Sequence, residues 1–309
     1  MTTEGAASDG ALALTFPGQG SQWVGMGRSL YERFASVHRL YAEADDRLGF
    51  SLSGLSFEGP EEELRDTANA QPAILVASVA ALTAARELEL PWAVSQVAFV
   101  AGHSLGEYSA LVAAGSLSFG DALSLVRQRG LLMQRAGEQA PGTMAAIMGL
   151  ETEAVEAICA ESGAEMANLN SPGQTVVSGR RDAVEGAVAL ARQRKAKATL
   201  LNVSAAFHSS LMASAAAELA QAIQGAAVAD PRVPVVGNTS ARALHTEAEV
   251  RAELVDQLQR PVRWQASVEL MAAAGVRTFA EVGPGKILAG LIRRIVPEGK
   301  VFSWGDSPG

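Results

Sequence analysis

Residues Val97 to Ala101 form an apolar run that leads directly into Gly102-His103-Ser104-Leu105-Gly106, and a helix-compatible run, Glu107 to Ala114, follows with Gly115 placed to end it. Strand, sharp turn and helix, with a serine at the tip, is the pattern of a nucleophile elbow. The spacing predicts a strained backbone at Ser104, and the flanking glycines keep a Cβ from crowding the strand or the helix. A helix that starts just after the serine also points backbone N–H groups toward developing negative charge. The segment therefore predicts acyl chemistry through a covalent serine ester.

Composition narrows the setting. The 309 residues are 48% hydrophobic and 19% charged, which is a globular composition long enough for one elaborated domain or two. A formal net charge of −8 argues against general nucleic-acid binding, which needs a basic face. No uninterrupted apolar run reaches the roughly 18 residues of a membrane span, so no membrane partner is expected. Met1 to Gly10 lacks the basic and apolar regions of a signal peptide. Cys159 is the single cysteine, so no disulfide within the chain can form, and a reducing cytoplasm fits. With Val155 and Ile158 it lies on the apolar face of an expected helix. The four histidines, His38, His103, His208 and His245, are scattered and form no metal-ligand cluster, so no metal is expected.

Along the chain, residues 1 to 10 read as a flexible tail. Ala11 to Phe16 reads as a strand that ends in the glycine-rich turn Pro17-Gly18-Gln19-Gly20-Ser21-Gln22. Arg28 to Ala35 reads as a helix. Glu61 to Leu90 reads as largely helical, broken near Asn69-Ala70-Gln71-Pro72, where Pro72 can begin a new helix. After the elbow comes a helix over Ser118 to Arg135. Strands separated by helices indicate a parallel sheet in an α/β layer. The middle of the chain changes character. Thr143–Met148, Glu165–Leu169, Thr175–Ser178 and Ala198–Val203 read as strands, with helices over Glu151–Glu161 and Arg181–Arg194. That β-α-β-β-α-β order is the ferredoxin-like pattern. The α/β layer then resumes with a strand at Val233–Val236, helices around Glu247–Leu258 and Trp264–Ala274, a strand at Thr278–Val282 and a helix over Ile287–Ile295. The expected fold class is α/β: an α/β-hydrolase-like large subdomain with a parallel sheet, over residues 11–138 and 205–309, and an inserted ferredoxin-like small subdomain over residues 139–204.

A serine nucleophile needs a base. His208, in Ala205-Ala206-Phe207-His208 between the last small-subdomain strand and an alanine-rich helix, is the best candidate. A surface histidine at a helix start is the competing reading of the same residues. His103 adjoins Ser104, but neighbours on a strand and turn point different ways, so it reads as a supporting residue. A hydrolase of the lipase or esterase type places an acid between serine and a late histidine. Here about 100 residues follow His208 and no acid stands out. A backbone carbonyl or amide, and no third carboxylate, is expected to hold the ring.

Four stretches carry a resemblance. Phe16-Pro17-Gly18-Gln19-Gly20-Ser21-Gln22, Gly102-His103-Ser104-Leu105-Gly106-Glu107, Ala205-Ala206-Phe207-His208 and Glu281-Val282-Gly283-Pro284-Gly285 are together similar to malonyl-CoA:acyl carrier protein transacylases. They also resemble the acyltransferase domains of polyketide synthases, in order from about residue 12 to about 303. The resemblance implies that Ser104 is acylated and that His208 acts as base and then acid. It implies that Gln19 and Leu105 supply oxyanion-hole N–H groups, and that Arg129 grips a malonyl carboxylate. A planar guanidinium suits that role because it meets a carboxylate with two directional hydrogen bonds. Gln71, Asn170 and Gln257 match positions near the acyl pocket. Malonyl-selective members often carry His-Ala-Phe-His before the base. In this chain Ala205 stands in place of the first histidine but Phe207 remains, and its ring would crowd a methyl branch on the substrate.

The implied reaction is ping-pong malonyl transfer, in fatty-acid or polyketide synthesis, from malonyl-CoA to the phosphopantetheine thiol of an acyl carrier protein. No bound cofactor is expected, since malonyl-CoA is a substrate and the partner protein carries the phosphopantetheine. A monomer is compatible with the sequence, which leaves the oligomeric state open. An acyl hydrolase would share Ser104 and His208 but would have no need of Arg129, and a non-catalytic docking module would form no acyl-serine. Arg192 to Lys197, and Arg293-Arg294 with Lys300, are candidate basic patches for an acidic carrier protein.

Overall fold

The computed structural model describes residues 11–94 and 97–306 of the chain. The amino-terminal segment read as a tail lies outside the described residues. Among the described residues, ten strands form two sheets: β1 (Ala11–Phe16), β2 (Val97–Gly102), β3 (Thr143–Met148), β4 (Glu165–Ser171), β5 (Gln174–Gly179), β6 (Lys197–Leu200), β7 (Val235–Val236), β8 (Ala243–Leu244), β9 (Val276–Val282) and β10 (Lys300–Trp304). The six-stranded sheet has the order β10-β9-β1-β2-β7-β8 and is parallel except for the β7–β8 pair.

β1 lies in the middle of that sheet, with β9 on one side and β2 on the other, and its side chains divide between two cores by strand alternation. Leu12, Leu14 and Phe16 join the larger core, which includes helix Thr67–Glu87 and helix Phe119–Gln139. Ala13 joins Phe279, Trp264 and Leu291 in a second core on the opposite face, under helices Trp264–Ala273 and Ile287–Ile295. The result is a three-layer α/β arrangement.

The smaller sheet, order β4-β5-β3-β6, is antiparallel throughout. With helices Thr152–Ser162 and Arg181–Gln193 packed on one face, it has the ferredoxin-like order. Cys159 packs in this helical core, where burial pushes its thiol up to about 11. The edge strand β4 also touches the larger subdomain. Leu169 N donates to Val262 O and Val262 N to Ala167 O, at 2.8 and 2.9 Å.

Several expectations are corrected locally. Pro72 does not start a helix but lies inside the continuous helix Thr67–Glu87. A proline there leaves the carbonyl four residues back without its N–H donor. That carbonyl, Ala68 O, instead accepts from Arg127 Nη1 at 2.7 Å. This helix reaches a mean hydropathy of 1.4 over 18 residues, long and apolar enough to cross a membrane, yet 89% of that window is buried inside the fold. Asn69, Gln71, Pro72, Ser78 and Thr83 interrupt its apolar character. Arg28 to Ala35 is split at the extended residue Phe34 into helices Arg28–Arg33 and Ala35–Leu48. β4 runs on through Asn170 and Ser171, so only Pro172-Gly173 turn. The ladder of β6 stops at Leu200, and Leu201, Asn202 and Val203 line a cavity instead.

Candidate active site

The elbow forms where β2 meets helix Gly106–Ala113, and its backbone is strained at the serine: Ser104 has φ 51°. The glycines at either side are sterically required. A Cβ on Gly102 would sit 1.9 Å from the Gly106 carbonyl carbon, and a Cβ on Gly106 would sit 2.1 Å from Phe16 O. The turn can thus close only against bare backbone. Ser104 N donates to Asn238 Oδ1 at 2.6 Å, which pins the strained turn to the loop after β7.

His208 reaches this serine from across the cleft. Its Nε2 lies 2.8 Å from Ser104 Oγ, and its Nδ1 lies 2.8 Å from Gln257 O. A carbonyl only accepts, so Nδ1 carries the proton and Nε2 is left to accept from the serine hydroxyl. A backbone carbonyl holds the ring, one of the two backbone groups expected from the sequence. Gln257 is the residue that ends helix Glu247–Asp256, so its carbonyl is one of those a helix end leaves without an internal partner. The negative end of that helix also favours the imidazolium that proton transfer creates.

Arg129, on helix Phe119–Gln139, is 1% exposed. Its Nη1 donates to Gln71 Oε1 at 2.7 Å, and its Nη2 donates to Gln257 Oε1 at 3.0 Å and to Ser104 Oγ at 3.1 Å. It also lies over the ring of Tyr108, 5.8 Å from the centroid. These partners are all neutral. Its Nε is buried and makes no hydrogen bond. A buried cation in contact with no carboxylate is costly to maintain, and the Glu107 carboxyl acts on it only from behind Gln257. On a planar guanidinium Nε–H and one N–H of Nη2 share an edge, so this edge is shaped for a bidentate carboxylate at the nucleophile.

Electrostatics favours a neutral base. Burial pushes the His208 pKa down to about 3, the Arg129 cation adds to that push, and the Gln257 carbonyl opposes it. His103 is lowered as well, by burial first. Because neutral His208 is the working form, acylation is predicted to show no inflection near pH 6.5, where a solvent-exposed histidine would titrate. A single-turnover pH series of acyl-enzyme formation checks this; a two-fold loss of rate at pH 6.5 relative to pH 8 contradicts it. The same depressed pKa has a stability consequence. Below pH 6.5 the unfolded chain takes a proton that the folded site refuses, so the fold loses stability as pH falls from 6.5 toward 3.

The remaining residues fall into two groups. A cavity of about 460 Å³ lies over the pair, lined by Gln19, His103, Ser104, Met133, Met144, Asn168, Leu201, Val203, Phe207 and His208 among others. Phe207 therefore faces the cleft. Gln19 lies in the turn after β1, with its side chain donating to Thr67 Oγ1 at 3.1 Å, and buried Leu105 follows the nucleophile. Gln71 and Gln257 lie below the cavity, on Arg129. Asn170 does not meet Ser104; its Oδ1 lies 2.8 Å from His103 Nε2, and Asn168 lines the cavity in its place. The ring of His103 packs against Trp264.

Sequence reasoning missed Asn238 and the role of Glu107. Asn238 follows strand β7 at the carboxyl edge of the sheet, a position where ligand-binding loops gather, and that placement is the signal it offers. Glu107 is wholly buried one turn after the nucleophile. Glu281, in a motif used above for resemblance, serves the fold. Its carboxylate accepts from Leu288 N and Ala289 N, at 3.0 and 2.8 Å, at the start of helix Ile287–Ile295.

Strained serine, carbonyl-held histidine and buried arginine thus meet at one end of the cleft. The chain belongs to the Acyl transferase domain family, whose pattern it matches over residues 14–300. It is 46% identical over 290 residues to the malonyl CoA-acyl carrier protein transacylase of Bacillus subtilis strain 168, covering 92% of this chain and 90% of that one. The crystal structure of an acyl carrier protein S-malonyltransferase from Vibrio cholerae O1 biovar eltor superposes with a TM-score of 0.91 at 44% identity, covering 96% and 97% of the two chains. A malonyl-transacylase solved in complex with its type II PKS acyl-carrier protein gives a TM-score of 0.92 at 41% identity, covering 96% of each chain.

Proposed function

We propose that this protein transfers a malonyl group from CoA to the phosphopantetheine thiol of an acyl carrier protein, as a malonyl-CoA:acyl carrier protein S-malonyltransferase of fatty-acid or polyketide synthesis. The observation that carries the reading is Arg129, a buried guanidinium that touches the nucleophile, has only neutral partners and keeps one donor unpaired. Neutral acyl chains give such a cation nothing to pair with; a malonyl carboxylate does. The relatives named above have this activity in their names, and one was solved with a carrier protein.

The steps follow from the geometry. Ser104 passes its hydroxyl proton to His208 Nε2 as Oγ attacks the thioester carbonyl. The N–H groups of Gln19 and Leu105 are assigned to the resulting oxyanion. As the C–S bond breaks, His208 returns the proton to the CoA sulfur and malonyl-Ser104 remains. The carrier-protein thiol then gives its proton to His208 and attacks the ester, and Ser104 recovers its proton as the new thioester leaves. Met133, Met144, Leu201, Val203 and Phe207 form the apolar wall, and Phe207 is assigned the exclusion of a methyl branch, a discrimination worth about 1–3 kcal/mol.

Every assigned group comes from one chain, so a monomer suffices. The free Cys159 and the substrates suit a reducing cytoplasm. Of the two basic patches, Arg294 donates to Gln174, and Arg194 donates to Ala154 O and pairs with Glu161. Neither group is fully available to a partner. The test is to load the enzyme with malonyl-CoA and challenge it with holo carrier protein. Malonyl should appear on the carrier at least tenfold faster than malonate appears in solution. Release of malonate at the same rate with and without carrier protein would identify a hydrolase instead.

A further inference from the structure

Glu107 lies beneath the nucleophile and touches none of the reacting atoms. Its Oε1 accepts from Asn238 N at 2.9 Å, and its Oε2 accepts from Gln257 Nε2. Gln257 is the residue on which the site converges. Its Nε2 also donates to Ser104 O at 3.0 Å, its Oε1 accepts from Arg129 Nη2, and its backbone carbonyl holds His208. The two ends of a glutamine amide have nearly the same size but opposite hydrogen-bonding character. In the observed orientation each end meets a complement. Turned over, the NH₂ would face the Arg129 guanidinium, donor against donor, and the oxygen would face Glu107, acceptor against acceptor.

We infer that Glu107 is a positioning residue for malonyl selectivity: by accepting from Gln257 Nε2 it fixes the amide so that Oε1 holds Arg129 in place for the substrate carboxylate. This rests on the malonyl reading above. Burial, reinforced by Glu253, pushes the Glu107 carboxyl well above its ordinary value, and the donors of Asn238 and Gln257 oppose that push. Both Glu107 oxygens face N–H donors, which is the pattern a carboxylate satisfies and an amide cannot. Glu253 acts on the same loop from the other side, accepting from Thr239 N and Ser240 N.

The experiment compares kcat/KM for malonyl-CoA and acetyl-CoA in Glu107→Gln, Gln257→Met and the double variant, with Arg129→Ala as reference. Glu107→Gln keeps the volume but sets at least one donor against another. The malonyl-to-acetyl ratio should fall at least tenfold in Glu107→Gln and in Gln257→Met. The double variant should show no further fall, because Glu107 acts through the Gln257 side chain. A malonyl-to-acetyl ratio that stays within twofold of the parent in either single variant overturns the inference. Effects on the ratio that multiply in the double variant overturn it too. If Glu107→Gln does not fold, Glu107→Asp, which keeps the charge but withdraws it from Gln257 Nε2, is measured in its place against the same tenfold and twofold limits. Should Arg129→Ala itself leave the ratio unchanged, the malonyl reading fails, and that result is distinct from loss of the Glu107 effect with Arg129 still selective.

Discussion

Arg129→Ala is expected to lower kcat/KM for malonyl-CoA by about 10²- to 10⁴-fold while acetyl transfer stays within tenfold of the parent. The size follows from removing one member of a buried, charge-assisted pair, which costs about 3–5 kcal/mol, at about 1.4 kcal/mol per factor of ten. Acetate carries no second carboxylate, so its transfer loses only the Nη2 contact to Ser104 Oγ. The same change removes one of the three influences that hold the His208 pKa down, burial and His103 being the others, so the acid limb of the pH–rate profile should move upward. Steady-state kinetics with both thioesters check the first point, with a thermal melt to show that Gln71 and Gln257 have not collapsed into the space. Equal losses for the two substrates would remove Arg129 from carboxylate recognition.

Ser104→Ala is expected to abolish the covalent intermediate and to lower kcat on the order of 10⁶-fold, the scale seen when a serine nucleophile is removed from an otherwise intact site. Alanine at φ 51° retains the strain of the elbow, since the strain belongs to any residue with a Cβ. The fold should therefore survive with the oxyanion donors and Arg129 in place. The variant should still bind malonyl-CoA. Intact-mass measurement after incubation with malonyl-CoA should show no adduct, and isothermal titration should show retained affinity. An adduct on the variant would mean that a different residue is the nucleophile.

The elbow was legible because its chemistry is local: strand, glycine, serine, glycine and helix must follow one another, and the clashes at Gly102 and Gly106 show why. The ferredoxin-like insertion was legible for the same reason, since each of its elements is long enough to show its own period. β7 was read two residues too long, and strands β8 and β10 were harder. β8 pairs over two residues and β10 is a half-buried edge strand, so their identity comes from neighbours and not from their own pattern. The break at Pro72 was misread because the repair comes from a distant helix, through the Arg127 guanidinium that takes over the freed carbonyl. That a backbone group would hold His208 could be read from the chain, but the identity of the carbonyl could not. It depends on where helix Glu247–Asp256 ends relative to a histidine 49 residues earlier. Glu107 and Asn238 stayed hidden because a buried polar residue in a helix or loop has no periodic signature; only the assembled network shows its purpose.

If the proposed reaction holds, malonate rests on Ser104 between two thiols. The most direct measurement is to quench the wild-type enzyme at low pH after brief exposure to malonyl-CoA, digest it and map the adduct by tandem mass spectrometry. A single malonyl group is expected, localised to Ser104, that disappears when holo carrier protein is added before the quench. A malonyl group on any other residue, or one on Ser104 that carrier protein does not discharge, would contradict it.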